Sequence, residues 1–193
     1  MIEHLNKYFD RSLFQLIYHV TFKCNARCGT CFNWHELNKE IDKELTLDEV
    51  KKFSASMPKF PWMMVSGGEP FLRLDMNEII HTFYVNNKIR HFTAPTNGLL
   101  PENVKRITTD ILERCKKLSM TLSFSLDDLG ERHDKIRGVK GNFEKLLVTF
   151  RQMDELKSSY PNLGIKFNTV ISSWNAKYVD DIIAFVKNLN PDM

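Results

Sequence analysis

The chain is organised around a single segment, Val20-Thr21-Phe22-Lys23-Cys24-Asn25-Ala26-Arg27-Cys28-Gly29-Thr30-Cys31-Phe32. This segment holds three of the four cysteines, spaced C-x3-C-x2-C, directly after an apolar run that predicts a strand. Four thiolates would complete a structural zinc site or bind every iron of a cubane iron–sulfur cluster. Three thiolates leave one position open, and the rest of the sequence must indicate what fills it.

The overall composition is that of an ordinary folded domain. The 193 residues suffice for one domain with a sizeable core, and 42% of them are hydrophobic and 26% charged. The net charge of +3 is weak, which argues against a nucleic-acid partner. No apolar run predicts a membrane span, and the first residues lack the pattern of a signal peptide. Clustered cysteines without an export signal favour metal binding in a reducing compartment, so we expect a cytoplasmic protein.

Predicted strands alternate with predicted helices along the chain. The strands are expected at 13–22, 62–66, 91–96, 119–126 and 165–171, and the helices at 47–57, 76–86, 101–117, 142–158 and 174–189. This alternation predicts an α/β fold with parallel strands, either barrel-like or doubly wound. The sequence ends at Pro191-Asp192-Met193, where a sixth strand is expected to begin, so we interpret it as the front part of a longer protein.

Chemistry-bearing residues follow the predicted strands. In parallel α/β folds, functional groups collect at the carboxyl ends of the strands, which meet at one edge. Those ends carry Cys24, Glu69, Asn97, Asp127 and Asn168. We therefore expect these five residues to share one face of the domain.

The fourth predicted strand has a polar row on one side. Its polar members Thr121, Ser123, Ser125 and Asp127 alternate with Leu122, Phe124 and Leu126. Alternation places the two sets on opposite faces of the sheet. A polar inner row predicts a cavity for a polar ligand, and the alternative is a strand with one solvated face.

The fourth cysteine is expected to lie far from the other three. Cys115 falls near the end of the third predicted helix, which runs away from the carboxyl edge of the sheet. At 1.5 Å per residue, such a helix carries Cys115 roughly 20 Å from the cysteine segment. We therefore predict that Cys115 is not a fourth ligand.

The sequence resembles the radical S-adenosylmethionine (SAM) enzymes. The spacing Cys24-x3-Cys28-x2-Cys31 after a first strand is that family's signature, and Gly67-Gly68-Glu69-Pro70 looks like its methionine-binding motif. The segments at 125–127, 133–138 and 141–143 are similar to the branch of molybdenum-cofactor enzymes and peptide- or sulfatase-modifying maturases. The resemblance implies a partial (β/α) barrel with about five βα units and a sixth cut off, so that residues 1–193 form a radical SAM core domain.

The resemblance also implies two cofactors, a [4Fe–4S] cluster and SAM. The cluster would be held by Cys24, Cys28 and Cys31, and its fourth iron would bind the amino and carboxylate groups of SAM. Glu69 would receive the methionine ammonium with the Gly67-Gly68 backbone, since a carboxylate suits a cation and glycine permits a close approach. The other candidates for SAM binding are Pro70, Asn97, Ser125, Asp127, Arg137 and Asn168, of which Arg137 would pair with the methionine carboxylate.

Several of these candidates could instead have a purely structural role. Glu69 could be a plain turn residue, and Asp127 could cap the turn that follows it. Arg137 could form a surface ion pair with Asp134. The sequence departs from the family pattern at Thr30, where an aromatic residue is often found near the adenine. Phe32 or Trp34 is the candidate to replace that packing.

The implied reaction is that of an oxidoreductase. One electron from the reduced cluster would cleave SAM to methionine and a 5′-deoxyadenosyl radical, which would abstract hydrogen from an unidentified small molecule or peptide. A flavodoxin or ferredoxin is the expected electron donor. Two other functions are compatible with the cysteines alone: a structural zinc site closed by His35, or a non-catalytic iron–sulfur carrier or sensor.

Overall fold

The structure is a computed structural model that describes residues 13–39 and 43–192. Within those residues, five parallel strands form one sheet in the order of the chain. They are β1 (Gln15–Thr21), β2 (Trp62–Gly67), β3 (His91–Thr96), β4 (Ser119–Ser125) and β5 (Leu163–Asn168). A doubly wound sheet would place its later strands on the far side of β1. The sequential order is instead that of a (β/α) barrel segment, as predicted.

Five helices connect the strands, and a sixth follows β5, in the part of the chain that the structure describes. They are α1 (Leu47–Ser56), α2 (Met76–Asn86), α3 (Pro101–Arg114), α4 (Gly130–Arg137), α5 (Asn142–Lys157) and α6 (Val179–Leu189). Local sequence explains their starts: Thr46 and Glu49 form a capping box before α1, and Pro101 occupies the first turn of α3. The α6 helix begins later than predicted, because Ala176–Tyr178 form a 3-10 turn.

The short α4 helix was missed by the sequence prediction. Its residues are mostly charged, and it buries only His133 and Ile136, so it lacks the apolar periodicity that signals a helix. Gly138 ends it in the left-handed conformation, with φ of +67°. This helix packs at the carboxyl edge of the sheet, where it contributes to the site described below.

The two faces of β4 differ in the way that the sequence predicts. Met120, Leu122 and Phe124 are fully buried, and the Phe124 ring packs edge-on against Phe150 of α5 at 6.0 Å. Ser123, on the opposite face, is also buried, but its hydroxyl has no hydrogen-bond partner among the described residues. The helices thus cover one face of the sheet, and a polar row lines the other.

The fourth cysteine lies where the sequence predicts. Cys115 ends α3, and its carbonyl accepts a hydrogen bond from Leu118 just before β4 begins. It is fully buried, and burial raises the pKa of its thiol to about 12. Since the strands are parallel, this position is at the opposite edge from Cys24. No helix in the described ranges combines the length and the apolar character needed to cross a membrane.

Candidate functional site

The three clustered cysteines lie on the loop that leaves β1. All three are free and half-buried, and Cys28 interacts electrostatically with both of the others. Burial raises the pKa of the Cys28 thiol to about 11, although the nearby Arg137 guanidinium opposes that rise. Cys28 and Cys31 line a cavity of about 420 Å3, together with Ala26, Arg27, Gly29, Trp34 and Leu37.

A second cavity, of about 60 Å3, adjoins the first cysteine. Its lining comes from several strand ends and comprises Cys24, Gly68, Glu69, Pro70, Pro95, Thr96, Asn97, Ser125 and Arg137. Most of the SAM-binding candidates predicted from the sequence therefore meet at one place. Gly67, Asp127 and Asn168 are absent from this lining.

The backbone of Gly68 and Glu69 joins the end of β2 to the start of the cysteine loop. The amide of Gly68 donates to the Thr21 carbonyl, and the amide of Glu69 donates to the Lys23 carbonyl, both at 2.8 Å. A side chain on Gly68 would place its Cβ 2.0 Å from the Lys23 carbonyl oxygen, so only glycine fits. A bound ammonium is itself a donor, so it would need acceptor oxygens in this cavity, such as the Glu69 carboxylate.

Glu69 is a buried carboxylate with a fixed orientation. Its side chain accepts hydrogen bonds from the Thr96 hydroxyl at 3.0 Å and from the backbone amides of Phe71 at 3.2 Å and Asn97 at 2.8 Å. Only 2% of the residue is exposed, and burial raises its pKa to about 7 against the opposing effect of these donors. Glu69 is a turn residue as well, since it caps the 3-10 turn at Pro70–Leu72. A cation bound in the small cavity would relieve the cost of this buried charge.

Asn97 connects the end of β3 to the cysteine loop. Its side-chain amide donates to Asn25 at 2.8 Å, and its side-chain oxygen accepts from the amide of Leu99 at 3.0 Å. Asn142 of α5 in turn donates to the Asn97 carbonyl at 2.8 Å. Asn97 thus lines the small cavity while its own side chain is used to hold the loops around it.

The surface ion pair of Arg137 with Asp134, the alternative to a binding role, does not form. Arg137 donates instead to Asp127 at 3.0 Å, and its side chain is only 12% exposed. Asp134 accepts from the backbone amides of Gly141 and Phe143 ahead of α5. Arg137 also retains a buried Nε without a hydrogen-bond partner among the described residues, so it has capacity for a further acceptor.

Asp127 is engaged entirely with the protein. Besides Arg137, its carboxylate accepts from the amide of Val170 at 3.0 Å, and its carbonyl accepts from the side chain of Asn175. These bonds hold Arg137 beside the small cavity, and the direct role of Asp127 in binding SAM stays a prediction. The side chain of Asn168 is exposed beyond the cavity, and its carbonyl pairs with Leu126.

The end of α4 supports the cysteine loop from the other side. The amides of Arg27 and Gly29 donate to the carbonyls of Arg137 and Ile136, at 3.0 and 2.8 Å. A Cβ on Gly138 would lie 2.4 Å from the Arg27 carbonyl oxygen, so this contact also requires glycine. This contact was not predicted from the sequence, because α4 itself was not predicted.

The donor set fits an iron–sulfur cluster better than a single ion. Among residues 13–39 and 43–192, no three His, Cys, Asp or Glu side chains converge on a point where one metal ion could bind. His35, the predicted fourth zinc ligand, is exposed and stacks on Trp34. In a cluster, each thiolate binds a different iron, so the three thiolates need not converge on one point. Trp34 lines that cavity, whereas Phe32 is 85% exposed outside it.

Comparisons with known proteins agree with this geometry. The family model described as the radical SAM superfamily matches residues 18–186. Fe-coproporphyrin III synthase of Methanosarcina barkeri is 28% identical over 155 residues, which are 79% of this chain and 36% of the relative. The probable GTP 3',8-cyclase of Methanocaldococcus jannaschii is 28% identical over 186 residues, which are 94% of this chain and 57% of the relative.

Solved structures show the same fold. The structure described as native anSMEcpe with bound AdoMet and Cp18Cys peptide aligns with a TM-score of 0.63 and 21% identity, over 94% of this chain and 49% of the other. The chain thus spans about half the length of the proteins that it matches.

Proposed function

The chain belongs to the radical SAM superfamily, and from this premise we propose that it is the core of an enzyme that cleaves SAM reductively to begin radical chemistry on a substrate. The observation that carries the proposal is the shared lining of the small cavity. Cys24, Glu69 and Arg137 face it together, so a cluster ligand, a buried anion and a buried cation meet at one place.

The three thiolates would hold the cluster. Soft thiolate ligands suit iron, and Cys28 and Cys31 line the larger cavity while Cys24 lines the adjoining small one. The protein would bind the metal with loss of the thiol protons, since only thiolates are ligands. When bound, the cluster and SAM supply one-electron chemistry that generates a carbon radical.

The small cavity would bind the methionine end of SAM. Glu69 would accept hydrogen bonds from the ammonium, because its carboxylate is already oriented by three donors. Arg137 would donate to the carboxylate through its unpartnered Nε, while Asp127 keeps the guanidinium in place. Ser125 also lines the cavity and offers a hydroxyl. Burial of these groups keeps water out and strengthens their interactions.

The partners follow from the same chemistry. A flavodoxin or ferredoxin would supply the electron, in the cytoplasm. The substrate would be a small molecule or a peptide that reaches the polar face of the sheet, where Ser123 and Ser125 lie. Further βα units and a C-terminal domain would complete the protein, as its relatives are about twice as long.

Anaerobic reconstitution tests the proposal. The wild-type protein is incubated with iron, sulfide, dithionite and SAM, and 5′-deoxyadenosine is measured. We expect the product from the wild type and from Cys115→Ala, which alters a cysteine at the opposite edge. We expect none from Cys28→Ala. A wild-type protein that binds iron but leaves SAM intact would support an electron carrier or sensor instead.

A further inference from the structure

The cysteine loop leaves the sheet through a short segment, residues 21–24, in which three amides and all four carbonyls are hydrogen-bonded. Three successive amides donate to side-chain oxygens: Phe22 to Glu44 at 2.7 Å, Lys23 to Thr21 at 3.1 Å and Cys24 to Asn38 at 3.0 Å. The four carbonyls of this segment accept in turn, from Gly68, Glu69 and Asn38. Such pairing fixes the direction in which Cys24 leaves the sheet.

Asn38 supplies three of these hydrogen bonds. Its side-chain oxygen accepts from the Cys24 amide, and its side-chain nitrogen donates to the Cys24 carbonyl at 3.2 Å. Its backbone amide donates to the Phe22 carbonyl at 2.8 Å. With φ of +61°, Asn38 adopts the left-handed conformation, which asparagine tolerates better than most residues. Asn38, which lies outside the cysteine motif, thus hydrogen-bonds to both the amide and the carbonyl of Cys24.

We infer that Asn38 is a positioning residue that sets the geometry of Cys24 as a cluster ligand. The two side-chain bonds hold both peptide groups of Cys24, and therefore the direction of its Cα–Cβ bond. They also occupy the Cys24 amide, which would otherwise be free to donate to a cluster sulfur. Hydrogen bonds to sulfur change the reduction potential of such clusters. The inference rests on the proposed function, because it requires Cys24 to be a cluster ligand.

The test compares Asn38→Gly with Asn190→Gly. Asn190 ends α6 with φ of +51°, so both substitutions place glycine at a left-handed asparagine, and only the first removes bonds to Cys24. The reconstituted variants are challenged with an iron chelator, and their reduction potentials and reduced EPR spectra are recorded. We expect Asn38→Gly to release iron roughly tenfold faster than the wild type, as loss of a partner behind a metal ligand does. We also expect a more positive potential and altered g values.

A second variant separates positioning from folding. Asn38→Asp keeps an acceptor for the Cys24 amide but loses the donor to its carbonyl, so its iron release should lie between those of wild type and Asn38→Gly. Asn190→Gly should behave as the wild type. If Asn38→Gly keeps the wild-type release rate, potential and EPR spectrum, the inference is wrong. A wild type that binds no cluster would instead overturn the proposed function.

Discussion

The carboxyl edge of the sheet has two halves that use their polar residues differently. At the ends of β2 and β3, Glu69 and Asn97 line the small cavity beside Cys24. At the end of β4, the carboxylate of Asp127 is satisfied by Arg137 and by the amide of Val170. Position at a strand end therefore does not decide a residue's role. Glu69 and Asn97 face the cavity although their side chains are also paired, whereas Asp127 lies outside its lining and holds Arg137.

The largest expected effect is a difference in unfolding free energy between substitutions at Asp127 and at Glu69. Asp127→Asn removes the charge that balances a buried guanidinium, and breaking such a pair costs about 3–5 kcal/mol of unfolding free energy. Glu69→Gln keeps the size of the side chain but turns one acceptor into a donor, at a cost of about 1–2 kcal/mol. Urea denaturation of the two variants and the wild type measures the difference.

Calorimetric binding of SAM to the reconstituted proteins completes that comparison. Glu69→Gln should bind SAM much more weakly than the wild type, although its unfolding free energy falls only modestly. Equal unfolding free energies for Asp127→Asn and Glu69→Gln would argue that Asp127 has no greater structural role than Glu69.

The next effect concerns His133, which supports the β4 half. Its Nδ1 accepts from the Asp127 amide, and it is fully buried. Burial and Arg137 lower its pKa to about 4, while Asp127 and Asp134 oppose the shift. Between about pH 6.5 and 4 the unfolded chain therefore binds a proton that the folded protein does not, and stability falls as the pH falls.

The variant His133→Asn isolates this effect, because asparagine offers an acceptor but does not titrate. The unfolding free energy of the wild type minus that of the variant should decrease by up to about 3 kcal/mol from pH 6.5 to pH 4. Denaturation curves across this range measure it. A difference that stays constant with pH would show that His133 does not remain neutral in the folded protein.

A smaller effect tests the contact between α4 and the cysteine loop. Gly138 and Gly141 both have positive φ, but only a Cβ on Gly138 would meet the Arg27 carbonyl. Ala at either position costs about 1–2 kcal/mol for its backbone conformation. Gly138→Ala should cost roughly 1–3 kcal/mol more, because the loop must shift. Equal losses in thermal or urea unfolding would argue that the loop does not depend on this contact.

The smallest effect is expected at Asn168. Its side chain is exposed and lies outside the small cavity. Asn168→Ala should therefore change the unfolding free energy by less than about 0.5 kcal/mol and leave SAM affinity unchanged. A marked loss of SAM binding would instead show that Asn168, at the end of β5, contributes to the SAM site.

Most of the fold could be predicted from the sequence, because its elements carry local signals. The alternating apolar pattern of β4, the capping box at Thr46 and the proline at the start of α3 each act over a few residues. The α4 helix was not predicted because its residues are mostly charged and only two of them are buried, which leaves no apolar periodicity. Its importance comes from packing against the cysteine loop, which no local pattern encodes.

The sequence predicts most of the residues that line the small cavity, but not which side chains pair with one another. Motif and strand-end position identified Cys24, Glu69 and Arg137, and the structure brings them to one cavity. The same reasoning could not show that Arg137 pairs with Asp127 and not with Asp134, because that choice depends on where α4, which was not predicted, places the guanidinium. Nor could it find Asn38, whose grip on Cys24 depends on the path of an irregular loop.

The central claim is that the cavity beside Cys24 binds SAM next to a cluster held by three cysteines. It is tested most directly by the EPR spectrum of the reduced, reconstituted protein before and after addition of SAM, with Glu69→Gln measured in parallel. We predict that SAM changes the spectrum of the wild type, and that the variant needs far more SAM for the same change. A wild-type cluster whose spectrum is unaltered by saturating SAM would contradict the account.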